Sequence, residues 1–434
     1  MVARVLFKGP LPLYELSMKE KILLVEDSAV VLKVLKHLVS QNSNFEPILA
    51  QSYEVALQQI EAHKGELFAA VVDLHLPDAE NGEIVDAMLE RDIPTVVLTG
   101  TYNDELRLAL LNKGVVDYVT KDSRYSYQHV MKVVERLRKN VSIKVLVAED
   151  SVTSRNFIRG LLVQYRFQVI EAKDGQEALT ILESDASISM LITDHNMPIV
   201  NGYDLVRMLR RNPRFQDLVI IGLSSEGDSS LTAKFIKSGA NDFLKKPFYH
   251  EEFHCRVIHN LEAQEMLDTI RDLANMDALT GLYNRRYLMT EGESYYQAAV
   301  AAQRTIHVVM LDIDHFKQIN DNYGHLIGDK LLEGFSDLLG QFFSDSLVAR
   351  FGGEEFCILN DICTVEEISA RLTMLNESLK DKGFTSEGIK ITYSGGIVSE
   401  VFESLEGAVN VADARLYLAK NNGRNQVCSL SEVS

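Results

Sequence analysis

The stretch Lys21-Ile-Leu-Leu-Val-Glu-Asp27 occurs a second time in this chain, as Lys144-Val-Leu-Val-Ala-Glu-Asp150. Three further pairs follow in the same order and at similar offsets: Asp73-Leu-His-Leu-Pro77 with Asp194-His-Asn-Met-Pro198, Val96-Val-Leu-Thr99 with Ile220-Ile-Gly-Leu-Ser224, and Tyr118-Val-Thr-Lys121 with Phe243-Leu-Lys-Lys246. A repeat of this kind indicates two homologous domains in tandem, each of about 120 residues.

Each copy alternates short β-branched runs with stretches of helical periodicity. That alternation predicts βα units and a doubly wound parallel sheet. Polar residues that end the strands of such a sheet gather at its carboxyl edge, where sites form. The residues predicted at this edge are Glu26, Asp27, Asp73, Thr99 and Lys121 in the first copy, and Glu149, Asp150, Asp194, Ser224 and Lys246 in the second.

Three carboxylates at one sheet edge repel one another unless a cation lies among them, and hard oxygen ligands suit Mg²⁺. The lysine and the hydroxyl supply a charge and a hydrogen bond for a tetrahedral anion. A lone strand-end Asp is more often a cap or a surface residue. Here five positions recur in order, which predicts a pocket whose carboxylate accepts a phosphoryl group.

Both copies resemble response-regulator receiver domains over essentially their whole length. The resemblance implies that Asp73 and Asp194 are phosphoacceptors and that Glu26, Asp27, Glu149 and Asp150 help to bind Mg²⁺. It also implies phospho-switch roles for Thr99, Lys121 and Tyr118, and for Ser224, Lys246 and Phe243. The second copy keeps the family's proline, Pro247, after its lysine, whereas the first has Asp122 there.

Composition excludes several classes of function. Lys and Arg total 44 against 62 Asp and Glu, a net charge of −18 that disfavours nucleic acid and anionic lipid surfaces as partners. No apolar run approaches the roughly 20 residues that span a bilayer, so a cytoplasmic protein without membrane contact is expected. The four Cys have no CxxC spacing, which supports neither a disulfide framework nor a zinc site.

Residues 251–275 have helical periodicity without Gly or Pro. Two interpretations stay open: the last helix of the second copy, or a stalk with a partly exposed apolar stripe. The predicted domains are an N-terminal extension at 1–19, copies at 20–142 and 143–265, a helical linker at 266–276 and an α/β domain at 277–434. Met18, just before the first strand, is an alternative start to Met1.

The C-terminal domain has its own acidic cluster. Gly352-Gly353-Glu354-Glu355 lies between two strand-like runs and predicts a hairpin turn that a ligand can approach closely. Asp312 ends another predicted strand, so Asp312 and Glu354 could share a divalent metal on a triphosphate. Taken alone, the glycines would indicate only a turn with a solvated acidic tip.

Two further segments suit a nucleotide. Asn320 and Asp329 supply an amide and a carboxylate that can bind the edge of guanine. Lys420 and Arg424 place two cations near a helix end, where they suit terminal phosphates. Either cation alone would more often be an ordinary C-terminal helix charge.

These segments resemble the GGDEF family of diguanylate cyclases, which have a nucleotidyl-cyclase-like α/β fold and, as dimers, condense two GTP into cyclic di-GMP with release of two pyrophosphates. The resemblance implies that Asp312, the Ile313 carbonyl and Glu354 hold Mg²⁺, with Mn²⁺ as an alternative. It implies catalytic roles for Glu354 and Glu355. It implies substrate binding by Asn320, His325, Asp329, Lys420 and Arg424.

The family's inhibitory Arg-x-x-Asp motif is missing, because Phe343 and Ser346 stand at its two positions. The leading hypothesis is a homodimeric cyclase controlled by a cognate histidine kinase or phosphotransfer protein. The alternatives are a catalytically inactive module that binds GTP or cyclic di-GMP, and a phosphorelay adaptor.

Overall fold

The computed structural model describes residues 19–225, 229–381 and 388–429. The chain forms two compact units, which meet in the sequence between Glu265 and Met266. Apart from Lys19, the predicted N-terminal extension and the alternative start at Met18 lie outside the described residues.

The first repeat is a five-stranded parallel sheet with the order β2-β1-β3-β4-β5. In β1, Ile22 and Leu24 enter one hydrophobic core and the alternate residues Leu23 and Val25 enter another. Burial on both faces is typical of parallel strands covered by helices. The elements are β1 (Glu20–Val25), α1 (Ala29–Gln41), β2 (Phe45–Ala50), α2 (Tyr53–Ala62), β3 (Leu67–Asp73), α3 (Glu83–Leu89), β4 (Thr95–Thr99), α4 (Asp104–Lys113), β5 (Asp117–Thr120) and α5 (Arg124–Asn140).

The second repeat has the same topology, with the order β7-β6-β8-β9-β10 and parallel pairing throughout. Its elements are β6 (Lys144–Ala148), α6 (Val152–Gln164), β7 (Gln168–Ala172), α7 (Gly175–Ser184), β8 (Ile188–Asp194), α8 (Gly202–Arg210), β9 (Val219–Ser224), α9 (Ser229–Lys237), β10 (Asp242–Lys245) and α10 (His250–Asn275). The doubly wound fold predicted for both copies is confirmed.

The two repeats share one hydrophobic core. A single cluster of buried side chains contains Val134 and Leu137 of α5 together with Phe167 of the second repeat. At its edge, Tyr165 donates from its hydroxyl to the Val116 carbonyl at 2.9 Å. The repeats therefore pack as one body, as their common unit indicates.

The C-terminal domain has a mixed six-stranded sheet with the order β11-β13-β14-β12-β15-β16. The central strand β12 is antiparallel to both neighbours, while the two edge pairs are parallel. The elements are β11 (Tyr283–Asn284), α11 (Arg285–Ala301), β12 (His307–Ile313), α12 (Phe316–Tyr323), α13 (His325–Phe342), β13 (Leu347–Gly352), β14 (Glu355–Asn360), α14 (Val365–Asp381), β15 (Tyr393–Val398), α15 (Leu405–Asn421) and β16 (Val427–Cys428).

Each of the two interpretations of residues 251–275 describes one part of the helix α10. Phe253, Val257 and Leu261 are buried, as expected for the last helix of the second repeat. Ile270 and Leu273, farther along, are 56% and 77% exposed, as expected for a stalk. In the part of the chain that the structure describes, no helix is long and apolar enough to cross a membrane.

Candidate functional site

The predicted acidic pocket of the first repeat is assembled at the carboxyl edge of its sheet. Glu26 and Asp27 follow β1 and Asp73 ends β3, and one carboxylate oxygen from each lies within 4.8 Å of the others. Lys121, after β5, places Nζ 2.6 Å from Asp73 Oδ2 and 2.7 Å from Glu26 Oε2. The hydroxyl of Ser28 caps α1 and so fixes the loop that carries Asp27.

Burial controls the electrostatics of this pocket. It raises the pKa of Glu26, although the hydrogen bond from Lys121 opposes the shift. Burial also disfavours the charge on Lys121, but hydrogen bonds to Asp73 and Glu26 outweigh it and raise the pKa of the ammonium. Glu26 Oε1 is buried and has no hydrogen-bond partner among the described residues. An orphaned carboxylate oxygen beside two other carboxylates fits a hard divalent cation.

The second repeat builds the same pocket from Glu149, Asp150 and Asp194, whose carboxylates also lie within 4.8 Å of one another. Lys246 Nζ is 2.5 Å from both Glu149 Oε2 and Asp194 Oδ1. The backbone places both lysines identically, because Lys246 N donates to the Ser224 carbonyl at 2.8 Å and Lys121 N to the Thr99 carbonyl at the same distance. The phosphoacceptor roles stay predictions.

The hydroxyl-bearing and aromatic residues of the predicted switches, Thr99 and Tyr118 and then Ser224 and Phe243, are buried in both repeats. Thr99 Oγ1 accepts from the backbone N–H of Thr101 at 3.5 Å, and Tyr118 donates to the Thr101 carbonyl at 2.9 Å. Phe243 packs against Phe235, with ring centroids 5.5 Å apart, and Ser224 is 1% exposed. The first aromatic is thus held by a hydrogen bond and the second by packing alone.

The C-terminal acidic residues meet where β12 and β14 pair. Asp312 lies opposite Glu355 in the antiparallel register, so the two side chains share a face of the sheet. Glu354 lies in the turn before β14, and its carbonyl accepts from Ile313 N at 3.3 Å. Gly353 in this turn has φ +50°, a backbone region that glycine enters without strain. The paired glycines thus form the predicted hairpin.

A lysine neutralises part of this acidic charge. Burial raises the pKa of Asp312, while the hydrogen bond from Lys420, whose Nζ is 2.8 Å from Asp312 Oδ2, opposes the shift. Burial, followed by the charges of Asp312 and Asp413, raises the pKa of Glu355. The charge of Glu354 also raises the pKa of Asp312, which places the two acidic groups near each other, but among the described residues they form no three-carboxylate cluster like those of the repeats.

Asp413 was missed by the sequence reasoning. It lies seven residues before Lys420 in α15, a spacing that returns to the same helix face. That spacing could have indicated it. The neighbouring Asp314 has a structural role instead, because it accepts hydrogen bonds from Thr392 Oγ1, Ser394 Oγ and the Asn425 backbone.

The predicted guanine-binding residues lie on α12 and α13. Asn320 Oδ1 is buried without a hydrogen-bond partner among the described residues, and a Cβ at Gly328 would lie 1.9 Å from it. The absence of a side chain at Gly328 therefore leaves space for the amide. His325, at the start of α13, is exposed and Asp329 is half-buried. These positions suit ligand contact, but no described interaction joins them to the acidic residues.

Of the two predicted phosphate-binding cations, only Lys420 contacts the acidic residues. Arg424 is exposed after α15, with φ +64°, and forms no ion pair in the described chain. The positions of the missing inhibitory motif are filled by core residues, since Phe343 is fully buried and Ser346 is 5% exposed. Asp345 beside them is engaged by Arg371 at 2.6 Å.

Comparison with known proteins gives two family matches. The response regulator receiver domain matches residues 22–133 and 145–258, and the diguanylate cyclase GGDEF domain matches residues 274–426. Response regulator PleD of Caulobacter vibrioides is 25% identical over 383 residues, which are 80% of this chain and 84% of PleD. Diguanylate cyclase VdcA of Vibrio cholerae is 34% identical over 190 residues, which are 42% of this chain and 55% of VdcA. A solved two-component system response regulator/GGDEF domain protein is 44% identical, with a TM-score of 0.52, and covers 57% of this chain and 100% of its own.

Proposed function

Because this chain belongs to the response regulator receiver family, with two receiver domains followed by a GGDEF domain, we propose that it is a diguanylate cyclase controlled by receiver phosphorylation. The reaction condenses two GTP into cyclic di-GMP and releases two pyrophosphates. The observation that carries the proposal is the convergence of Asp312, Glu355 and Lys420 beside the Gly352–Gly353 turn.

In the proposed site, Asp312, the Ile313 carbonyl and Glu354 hold Mg²⁺ or Mn²⁺. A bound divalent cation supplies charge neutralisation for the triphosphate and favours ionisation of the attacking 3′-hydroxyl. Glu355 accepts the hydroxyl proton, a role that suits a carboxylate whose pKa burial raises. Asn320 and Asp329 orient guanine, and His325 lines the nucleotide site.

Lys420 has two partners in this proposal. In the free site its ammonium neutralises Asp312. With nucleotide and metal present, Lys420 turns to the terminal phosphates, joined by Arg424. Because Arg424 is exposed and has no ion partner in the described chain, it is free to reach a phosphate.

Control is proposed to come from the two receiver pockets. A cognate histidine kinase or phosphotransfer protein phosphorylates Asp194 or Asp73, and the phosphorylated chain forms the dimer that brings two GTP together. The pairing of Lys246 with Asp194 supports this, since a lysine in that place can bind a phosphoryl oxygen. A cytoplasmic location would supply both the GTP and the phosphodonor.

The test is incubation of the purified full chain with GTP and Mg²⁺, followed by chromatography of the nucleotides. Formation of cyclic di-GMP and pyrophosphate in a ratio of one to two supports the proposal. Bound but unchanged GTP would instead indicate the inactive binding module. A chain that takes up a phosphoryl group but binds no guanine nucleotide would indicate the phosphorelay adaptor.

A further inference from the structure

The part of α10 that packs on the receivers runs to about Glu265. The first receiver contacts it at both ends, at Glu251 and at Glu265. Arg107 of α4 forms an ion pair with Glu251 in the first turn of α10. Arg136 of α5 donates from Nη1 to Glu265 Oε1 at 2.6 Å, and Lys139 Nζ lies 3.0 Å from Glu265 Oε2. Because Arg136 is only 5% exposed, its bond to Glu265 is less screened by water than a surface pair.

A short loop with its own hydrogen bonds lies between the phosphoacceptor pocket and the contact of Arg107 with Glu251. Thr99 Oγ1 accepts from Thr101 N, whose carbonyl in turn accepts from the Tyr118 hydroxyl. Three residues later, Asp104 begins α4 and accepts from Arg107 Nη2 at 3.2 Å. The same guanidinium pairs with Glu251 through Nη1. Movement of the loop from Thr99 to Asp104 would therefore change the contact between Arg107 and Glu251 on α10.

We propose that the unphosphorylated first receiver acts as a clamp, holding α10 in place through the ion pairs at Glu251 and Glu265. Phosphorylation of Asp73 opens the clamp by weakening the pair of Arg107 with Glu251. The inference rests on the proposed function, since α10 continues into the unit that contains the GGDEF domain. It assigns direct control of this helix to the first receiver, although α10 belongs to the second receiver in sequence.

The chemistry of opening starts at the pocket. Transfer from a phosphohistidine donor forms the Oδ–P bond of an aspartyl phosphate at Asp73 as the donor's N–P bond breaks, and the donor nitrogen takes up a proton. The new phosphoryl oxygens compete for Lys121 and for the hydroxyl of Thr99. Drawing Thr99 away from Thr101 moves the start of α4, and with it Arg107, which weakens the pair with Glu251.

The first experiment measures amide hydrogen exchange of residues 250–265 in the full chain, with and without beryllofluoride as the phosphoryl mimic. We expect beryllofluoride to speed exchange of this segment several-fold in the wild type and in Asp194→Asn, but not in Asp73→Asn. If Asp194→Asn abolishes the response and Asp73→Asn preserves it, the second receiver controls the helix and the proposal is wrong.

The second experiment reverses single charges on α10 without beryllofluoride. Glu251→Arg and Glu265→Arg should speed exchange of the segment several-fold and raise cyclic di-GMP formation towards the beryllofluoride-treated level. Glu262→Arg is the matched control, because Glu262 is exposed on the same helix and forms no ion pair in the described structure. Adding Arg107→Glu to Glu251→Arg should restore slow exchange.

The outcomes separate the clamp from the proposed function. Equal exchange in Glu251→Arg and Glu262→Arg, or no recovery in the charge-swapped pair, overturns the clamp whatever the activity. Faster exchange in both reversed variants, in a protein that makes no cyclic di-GMP under any condition, supports the clamp and overturns the proposed activity.

Discussion

Asp312 is buried and paired with Lys420, so a test of its role must separate loss of chemistry from loss of this pair. Asp312→Asn keeps the size of the side chain but removes the charge proposed to hold a divalent cation. We expect cyclic di-GMP formation to fall at least about 100-fold, because metal ligation contributes several kcal/mol to such reactions.

The matched control for this variant is Asp321→Asn, at an exposed acid of α12. It should keep near-normal turnover, and circular dichroism should show both variants folded. Turnover of Asp312→Asn within a few-fold of the wild type would remove Asp312 from the metal site.

Gly328 makes room for the amide of Asn320. Because a Cβ there would lie 1.9 Å from Asn320 Oδ1, Gly328→Ala should displace the amide and raise the KM for GTP about tenfold, the effect of one lost hydrogen bond. Gly407→Ala is the control, since its Cβ would meet nothing nearer than 3.5 Å. An unchanged KM in Gly328→Ala would show that Asn320 does not contact guanine.

His254 on α10 makes the stability of the receiver unit depend on pH. Burial lowers its pKa to about 3, and its ring nitrogen Nε2 lies 3.0 Å from the Leu161 carbonyl. In the unfolded chain the pKa is about 6.5, so the unfolded state binds the proton more tightly. The stabilisation is complete above about pH 6.5 and is lost as the pH falls, by up to about 1.4 kcal/mol per pH unit.

Urea denaturation at pH 7.5 and pH 5.5 measures this effect. His254→Gln should lose less stability between pH 7.5 and pH 5.5 than the wild type does. His37→Gln, at an exposed histidine, should lose as much stability as the wild type. Identical losses in His254→Gln and the wild type would mean that other groups set the pH dependence.

At the scale of elements, Arg210 ties α8 to the loops of the second receiver. It donates from Nε to the Gly239 carbonyl at 2.7 Å, from Nη1 to the Phe215 carbonyl at 2.5 Å and from Nη2 to the Leu218 carbonyl at 2.8 Å. Arg210→Ala leaves these carbonyls without the donor and should cost about 2–4 kcal/mol of unfolding free energy.

Arg210→Lys should recover part of this loss, because an ammonium keeps the charge but lacks the planar fork. The adjacent Arg211→Ala provides the control, since Arg211 is exposed. If urea denaturation gives equal stabilities for Arg210→Ala and Arg211→Ala, the carbonyl contacts contribute nothing.

Elements and pockets built on local patterns were predictable from the sequence. The strand that ends at Asp73 and the hairpin at Gly352–Gly353 follow from β-branched runs and glycines, and both are present. The pair of Lys420 with Asp312 and the pair of Arg107 with Glu251 were not predictable. Each joins residues more than 100 positions apart, and the many charged residues of the chain offer many alternative partners.

At the scale of the whole molecule, the proposed reaction needs two chains, because one GGDEF domain is expected to hold one GTP. Specific activity should therefore rise with protein concentration, and beryllofluoride should raise both the activity and the dimer fraction. Turnover assays and light scattering over a protein concentration range of about 100-fold would measure the specific activity and the dimer fraction.

Asp73→Asn combined with Asp194→Asn provides the control, and it should keep the concentration dependence but lose the beryllofluoride response. Activity per chain that stays constant across the range and is indifferent to beryllofluoride in the wild type would contradict the dimer mechanism.

The core shared by the two receivers has a consequence for the history of the chain. Two copies in the sequence suggest two independent domains that recombination could exchange one at a time. Yet Val134 and Leu137 pack with Phe167 in one cluster, and Tyr165 bonds to Val116. Replacing one copy by a foreign receiver would leave an apolar face without its partner. The pair of receivers, rather than either copy alone, is therefore the unit that can be exchanged without loss of stability.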